Sequence, residues 1–175
     1  MLPWTHLAFG YALLLCVLVL SRRAGSRGEL LALLAGTQLP DLIDKPLAWW
    51  VQVLPSGRSL AHSLVFAVPV VLAVAVVARR YGRLEVGPAF AVGYASHLLG
   101  DTYAALWGWR TEELTFLLWP LLPPYPYDDF SGLVDFALRA EVTTGLLVQS
   151  AVAGLGLLVL AVHFLWVPWW QAQTR

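Results

Sequence analysis

The chain has 175 residues, 59% of them hydrophobic and only 13% charged, with 11 basic and 11 acidic side chains and no net charge. A soluble domain carries roughly 25% charged residues, so this deficit excludes a disordered chain and argues against a water-soluble globule, which needs polar cover. Zero net charge gives a nucleic acid nothing to hold, and the single Cys16 excludes disulfide frameworks and Cys-rich zinc sites.

The expected class is an all-α integral membrane protein, a single polytopic domain over residues 1–175. Four full transmembrane helices are predicted over Trp4–Leu20, Leu60–Ala78, Val86–Trp107 and Thr144–Val167. Each reaches the roughly 17–25 residues that crossing the hydrocarbon requires. A fifth apolar segment, Glu29–Pro40, is short and is predicted to cross only part of it. Pro69 is tolerable inside a span, where neighbouring helices satisfy freed backbone groups. The first span is not read as a cleavable signal, because Arg22, Arg23 and Arg27 follow it and no positive charge precedes it.

Those arginines place the first loop in the cytoplasm. Alternation then places Arg79, Arg80, Arg83 and Arg175 there too, with the N-terminus outside and the C-terminus inside. Trp4, Trp49, Trp50, Trp107, Trp109 and Trp119 fall on the outer side and Trp166, Trp169 and Trp170 on the inner, as interfacial belts do. Two outer stretches are expected not to span. Lys45–Ser59 holds a short interfacial helix around Pro46-Leu47-Ala48-Trp49-Trp50, and Gly108–Glu141, rich in Pro and aromatics, lies irregularly on the membrane.

Ionisable side chains within spans default to a functional reading. A rise of about 1.5 Å per residue, counted from each cytoplasmic end, puts His6 about 21 Å up, Asp41 about 18 Å, His62 about 24 Å, and His97 and Asp101 about 16 and 22 Å. Four segments thus bring His or Asp to one layer in the outer half of the bilayer. His97 and Asp101 are four apart and share a helical face, flanked by Gly93 and Gly100, which let helices approach closely. Asp41 and Asp44 are three apart, close enough to serve one site on a helical turn.

Singly, each residue has a plain structural reading. His97–Asp101 alone suits an ion pair, His6 an interfacial position, Asp41 a helix end, and His62 a partly solvated helix start. Their shared depth favours a common site. His163, near the cytoplasmic end of the fifth span, is read as interfacial or packing. Glu112, Glu113, Asp128 and Asp129 are read as solvated loop charges, with Asp128 or Asp129 as a minor extra ligand candidate. Three His and three Asp without a usable Cys suit zinc, manganese or iron better than a soft metal. The number of candidates allows one ion or two, with a bridging hydroxide as the usual nucleophile of a two-ion site.

At these residues the chain resembles a family of membrane-bound, LexA-regulated, inner-membrane metal-dependent hydrolases. The likeness lies in the early His6, in Leu39-Pro40-Asp41 followed by Asp44 and Pro46, and in Arg58 followed by His62-Ser63. It continues in Gly93-Tyr94-Ala95-Ser96-His97 with Asp101, and in Leu118-Trp119-Pro120. It covers about residues 5 to 120. Two positions depart from it: many members carry His and Thr where this chain has Gly57 and Ala61, and their second Asp often comes two residues after the first.

The expected function is metal-dependent hydrolysis by a metal-activated water, against a lipid-linked ester or phosphoester. The proposed ligands are His6, Asp41, His62, His97 and Asp101, with Asp44 as a sixth, and zinc or manganese as the favoured metal. Arg58 and Lys45 are placed at the outer mouth to hold an anionic headgroup, and Ser63 and Ser96 to hydrogen-bond a ligand imidazole. The expected partner is a membrane lipid or lipid-linked substrate, with no nucleic acid. The alternative is a non-enzymatic transporter or sensor of metal ions or protons built on the same cluster. It is disfavoured because the inner halves of the spans are nearly all Leu, Val and Ala, whereas a transporter needs polar residues on both sides. A third reading leaves the cluster as structural ion pairs.

Overall fold

The computed structural model of the chain describes residues 3–22, 25–125, 134–135, 138 and 144–162. Arg23, Asp128, Asp129, Glu141, His163, Trp166, Trp169, Trp170, Arg175 and the expected end of the fifth span at Val167 lie outside the described residues.

Among the described residues the architecture is helical, without strands. It comprises α1 (Pro3–Leu20), α2 (Arg27–Trp49), α3 (Leu64–Arg80), α4 (Val86–Trp107), a 3-10 helix (Thr111–Leu118) and α5 (Thr144–Ala161). The central helix is α4, which packs against α1, α2, α3 and the 3-10 helix, while α5 lies along α1. Tyr11, Leu14, Leu18, Leu33, Ala67, Ala89, Phe90, Tyr94 and Leu98 form the apolar core between α1, α2, α3 and α4.

The second helix departs from expectation. It does not stop at Pro40 but runs 23 residues, through Asp41, Asp44 and Pro46, to Trp49. Its start is fixed by a capping box: the Ser26 hydroxyl accepts from the Glu29 backbone N–H (3.1 Å) and the Glu29 carboxylate accepts from the Ser26 N–H (2.8 Å). Its apolar count ends at Pro40 because the next turns carry Asp41 and Asp44, and both of these are buried. The expected interfacial helix at Pro46 is therefore the last turn of α2.

The third helix begins at Leu64 rather than Leu60. Ser63 caps it, its hydroxyl accepting from the Val65 N–H at 3.1 Å, so His62 stands in a turn ahead of the helix. The long outer stretch is less irregular than expected, since Thr111–Leu118 is a 3-10 helix that buries Phe116. Within it Glu113 receives an ion pair from Arg110 at 2.7 Å, so it is not simply a solvated charge.

Four full spans were expected. Among the described residues, α1 alone is long and apolar enough to cross a membrane by itself, with the shorter Leu146–Ala161 also apolar. The late start of α3 leaves it 17 residues, and α2 and α4 devote Asp, His, Ser, Thr and Gly to contacts inside the bundle.

Candidate metal centre

Two glycines set the closest approach in the bundle. A Cβ on Gly36 of α2 would collide with the Phe90 carbonyl oxygen and the Tyr94 nitrogen, and one on Gly93 of α4 with the Leu33 carbonyl oxygen and the Thr37 nitrogen. Only the missing side chains let these two backbones touch. The contact draws the second half of α2, with Thr37, Asp41 and Asp44, alongside the half of α4 that carries His97 and Asp101. His6, near the start of α1, and His62, in the turn before α3, complete the group.

Asp41, His62, His97 and Asp101 each turn one ligand-type atom inward, and these four atoms lie within 4.8 Å of one another. The two His Nε2 atoms are 3.0 Å apart. His62 Nε2 is 3.6 Å from Asp41 Oδ1 and 3.4 Å from Asp101 Oδ2, and His97 Nε2 is 3.7 and 3.8 Å from the same oxygens. Ligand bonds of about 2.0–2.2 Å around a tetrahedral ion put neighbouring ligand atoms about 3.3–3.6 Å apart. The five edges bracket that range.

Proton bookkeeping points the same way. His97 Nδ1 lies 2.7 Å from the Thr37 carbonyl oxygen, which only accepts, so His97 carries its proton on Nδ1. His62 Nδ1 donates to Asp44 Oδ2 at 2.8 Å. With both rings neutral, as metal ligation requires, each turns an Nε2 lone pair toward the other at 3.0 Å, an arrangement that a cation between them relieves. Donation of the far ring nitrogen to a carboxylate or a backbone carbonyl is how metal-binding imidazoles are oriented. The residues present thus suit a divalent ion.

The sequence-derived candidates take different places. Asp44 is outside the four-residue group. Fully buried behind the His62 ring, its carboxylate accepts from the backbone N–H groups of Ser59 (2.8 Å), Ala61 (2.8 Å) and His62 (3.2 Å) as well as from the ring. It is an anchor for the His62 turn. His6 is fully buried, stacked on the His97 ring at 3.8 Å, with Nε2 3.4 Å from Asp101 Oδ1.

Ser63 and Ser96 do not reach an imidazole. The Ser63 hydroxyl donates to the carbonyls of Trp119 (2.5 Å) and Leu117 (3.3 Å), tying the 3-10 helix to α3, and the Ser96 hydroxyl turns back to the Gly93 carbonyl at 2.7 Å. Arg58 and Lys45 are both partly exposed at the edge of the cluster. Arg58 Nε is 3.1 Å from Asp101 Oδ2 and Lys45 Nζ 2.5 Å from Asp41 Oδ2.

Sequence reasoning missed three contributors. The Thr37 carbonyl orients His97. The Tyr94 hydroxyl donates to the Ala61 carbonyl at 2.6 Å, holding the His62 turn from α4. The Phe116 ring meets His62 edge-on at 6.2 Å. Thr37 stands one helical turn before Asp41, and Tyr94 lies inside the Gly93–His97 motif, so only their positions in the chain hinted at a role.

Apolar helices closing over a buried carboxylate–imidazole group define an all-helical protein with a centre that could hold a metal ion. The family model for the YdjM inner membrane proteins matches residues 1–174, and the chain belongs to that family. No curated protein and no solved structure matches the chain.

Proposed function

We propose that the protein is a multi-pass membrane hydrolase that uses a divalent ion, zinc or manganese, held by Asp41, His62, His97 and Asp101. The observation that carries this reading is the convergence of those four buried ligand atoms with both imidazoles oriented through Nδ1. An ion bound there supplies Lewis acidity and makes water acidic enough to act as a nucleophile near neutral pH. The chain's own residues do the rest. Asp44 and the Thr37 carbonyl hold both rings in the tautomer that leaves Nε2 free. Burial of His62 and His97 keeps bulk water from competing. Arg58 and Lys45, reaching inward from the exposed edge, are placed to hold an anionic group such as the phosphate of a lipid-linked phosphoester.

A multi-pass arrangement is supported by outward apolar faces, and the reading that puts the N-terminus outside and the C-terminus in the cytoplasm rests on the arginines after the first and third apolar segments. Val65, Val68, Leu72 and Val76 of α3 and Leu147, Val148, Val152 and Leu155 of α5 are exposed, as lipid-facing side chains are. The family is one of inner membrane proteins.

The test is metal analysis of the full chain in detergent, beside His62→Ala and Asp101→Ala, followed by phosphate release from an anionic lipid phosphoester in mixed micelles. Stoichiometric metal that both substitutions remove, with metal-dependent turnover in the parent, is the expected result. A stable, metal-free parent overturns the metal reading. A loaded parent that turns over no ester points to the transporter or sensor alternative.

A further inference from the structure

His6 is fully buried, and neither ring nitrogen has a hydrogen-bond partner. A buried imidazole must carry a proton on one nitrogen and a lone pair on the other, so both of its polar functions are unsatisfied, which protein interiors avoid. Its nearest acidic neighbour is Asp101 Oδ1, 3.4 Å from Nε2 in a geometry that makes no hydrogen bond.

Asp101 divides its two oxygens between two places. Oδ2 faces His62 and His97 and is paired with Arg58 Nε at 3.1 Å, while Oδ1 faces His6. The His6 and His97 rings are nearly parallel, 16° apart, with centroids 3.8 Å from each other. Both rings turn Nε2 toward the same carboxylate. Two donors displaced by a ring spacing, with one carboxylate spanning them, form the frame of a two-ion site, whose ions lie about 3.5–4 Å apart.

We propose that His6 Nε2 and Asp101 Oδ1 hold a second divalent cation, with the Asp101 carboxylate bridging it to the ion of the four-residue group. This rests on the metal reading above. The second position draws two ligands from the described residues and leaves its other coordination places to water and substrate. It therefore keeps more free coordination places than the four-residue position, for water or an anionic substrate oxygen. The four-residue position has four protein ligands and adds a water by expanding to five-coordinate.

The test uses Mn(II) alone as the probe, with the full chain in detergent, read by elemental analysis and electron paramagnetic resonance. The parent is expected to hold two Mn(II) per chain with the broadened signal of exchange-coupled ions. His6→Ala is expected to hold one, with the sharp hyperfine pattern of an isolated ion and an affinity for it within about threefold of the parent's tighter site. A parent that holds a single ion, or a His6→Ala variant that keeps two coupled ions, overturns the proposal and leaves the four-residue site standing. A parent that holds none overturns both readings. If His6→Ala does not fold, the parent's stoichiometry and coupling decide, with His6→Gln as the second variant.

Discussion

Replacing Asp44 is the most informative single perturbation, because this carboxylate lies outside the four-residue group and yet holds one of its members, His62. It accepts four hydrogen bonds in a fully buried setting, three from the backbone of residues 59, 61 and 62 and one from His62 Nδ1. Asp44→Ala strands four donors, each costing about 1–3 kcal/mol when unsatisfied. Water entering the space left behind recovers part of that, so the net loss is expected at about 3–5 kcal/mol, as for other broken buried charge pairs. For a chain of this size that lowers the melting temperature by about 6–20 °C. The His62 ring also loses the acceptor that fixes its tautomer, which is expected to weaken metal binding by about 10–100-fold.

Asp44→Asn separates the two effects. An amide oxygen in the Oδ2 position keeps Ser59, His62 N–H and the ring, and sacrifices only the Ala61 bond. Its expected cost is about 1–2 kcal/mol, with metal retained. Thermal unfolding in detergent and competition with a graded chelator measure both quantities. Parent-like melting and metal affinity in Asp44→Ala would refute the anchoring argument.

Four further outcomes are expected. Gly93→Ala forces α2 and α4 apart at the Leu33 carbonyl and is expected to cost about 1–3 kcal/mol together with the metal. Gly154→Ala, where an added Cβ meets nothing, is expected to change neither in the same melting and metal assays. Tyr94→Phe leaves the buried Ala61 carbonyl without its donor and is expected to lower stability by about 1–2 kcal/mol with metal stoichiometry unchanged, so an unchanged melt argues against this tether. Stripping metal with a chelator is expected to lower the melting temperature, because ligand at a hundred times its Kd stabilises by about 2.7 kcal/mol; Asp101→Ala is expected to show no such metal-dependent shift.

Much of the meeting of His6, Asp41, His62, His97 and Asp101 was legible from helix rise alone, because a side chain's height follows from its distance along the chain. What lies around each ring was not. Asp44 looked like a ligand since it stands one turn from Asp41, and only the path of residues 59–62, set by Tyr94 and Phe116 from other segments, turns it to the far side of His62. Ser63 and Ser96 looked like partners for the neighbouring imidazoles, but each found a carbonyl first. The length of α2 was misjudged because a hydropathy count treats Asp41 and Asp44 as exposed polar residues, whereas both are buried against the rest of the bundle. Single-sequence patterns report distance along a helix well and the direction of a non-local contact poorly.

The tether on the His62 turn also isolates it from the chain that leads into it. Asp44 grips residues 59–62, while the chain just before them, from Val51 to Val53, is exposed at the surface. Insertions or substitutions there would be absorbed before they reach the imidazole. Gly57 lies close upstream of the gripped residues, against Trp49. Changes along this exposed stretch thus reshape the edge of the cluster while the His62 ring behind it stays where Asp44 holds it.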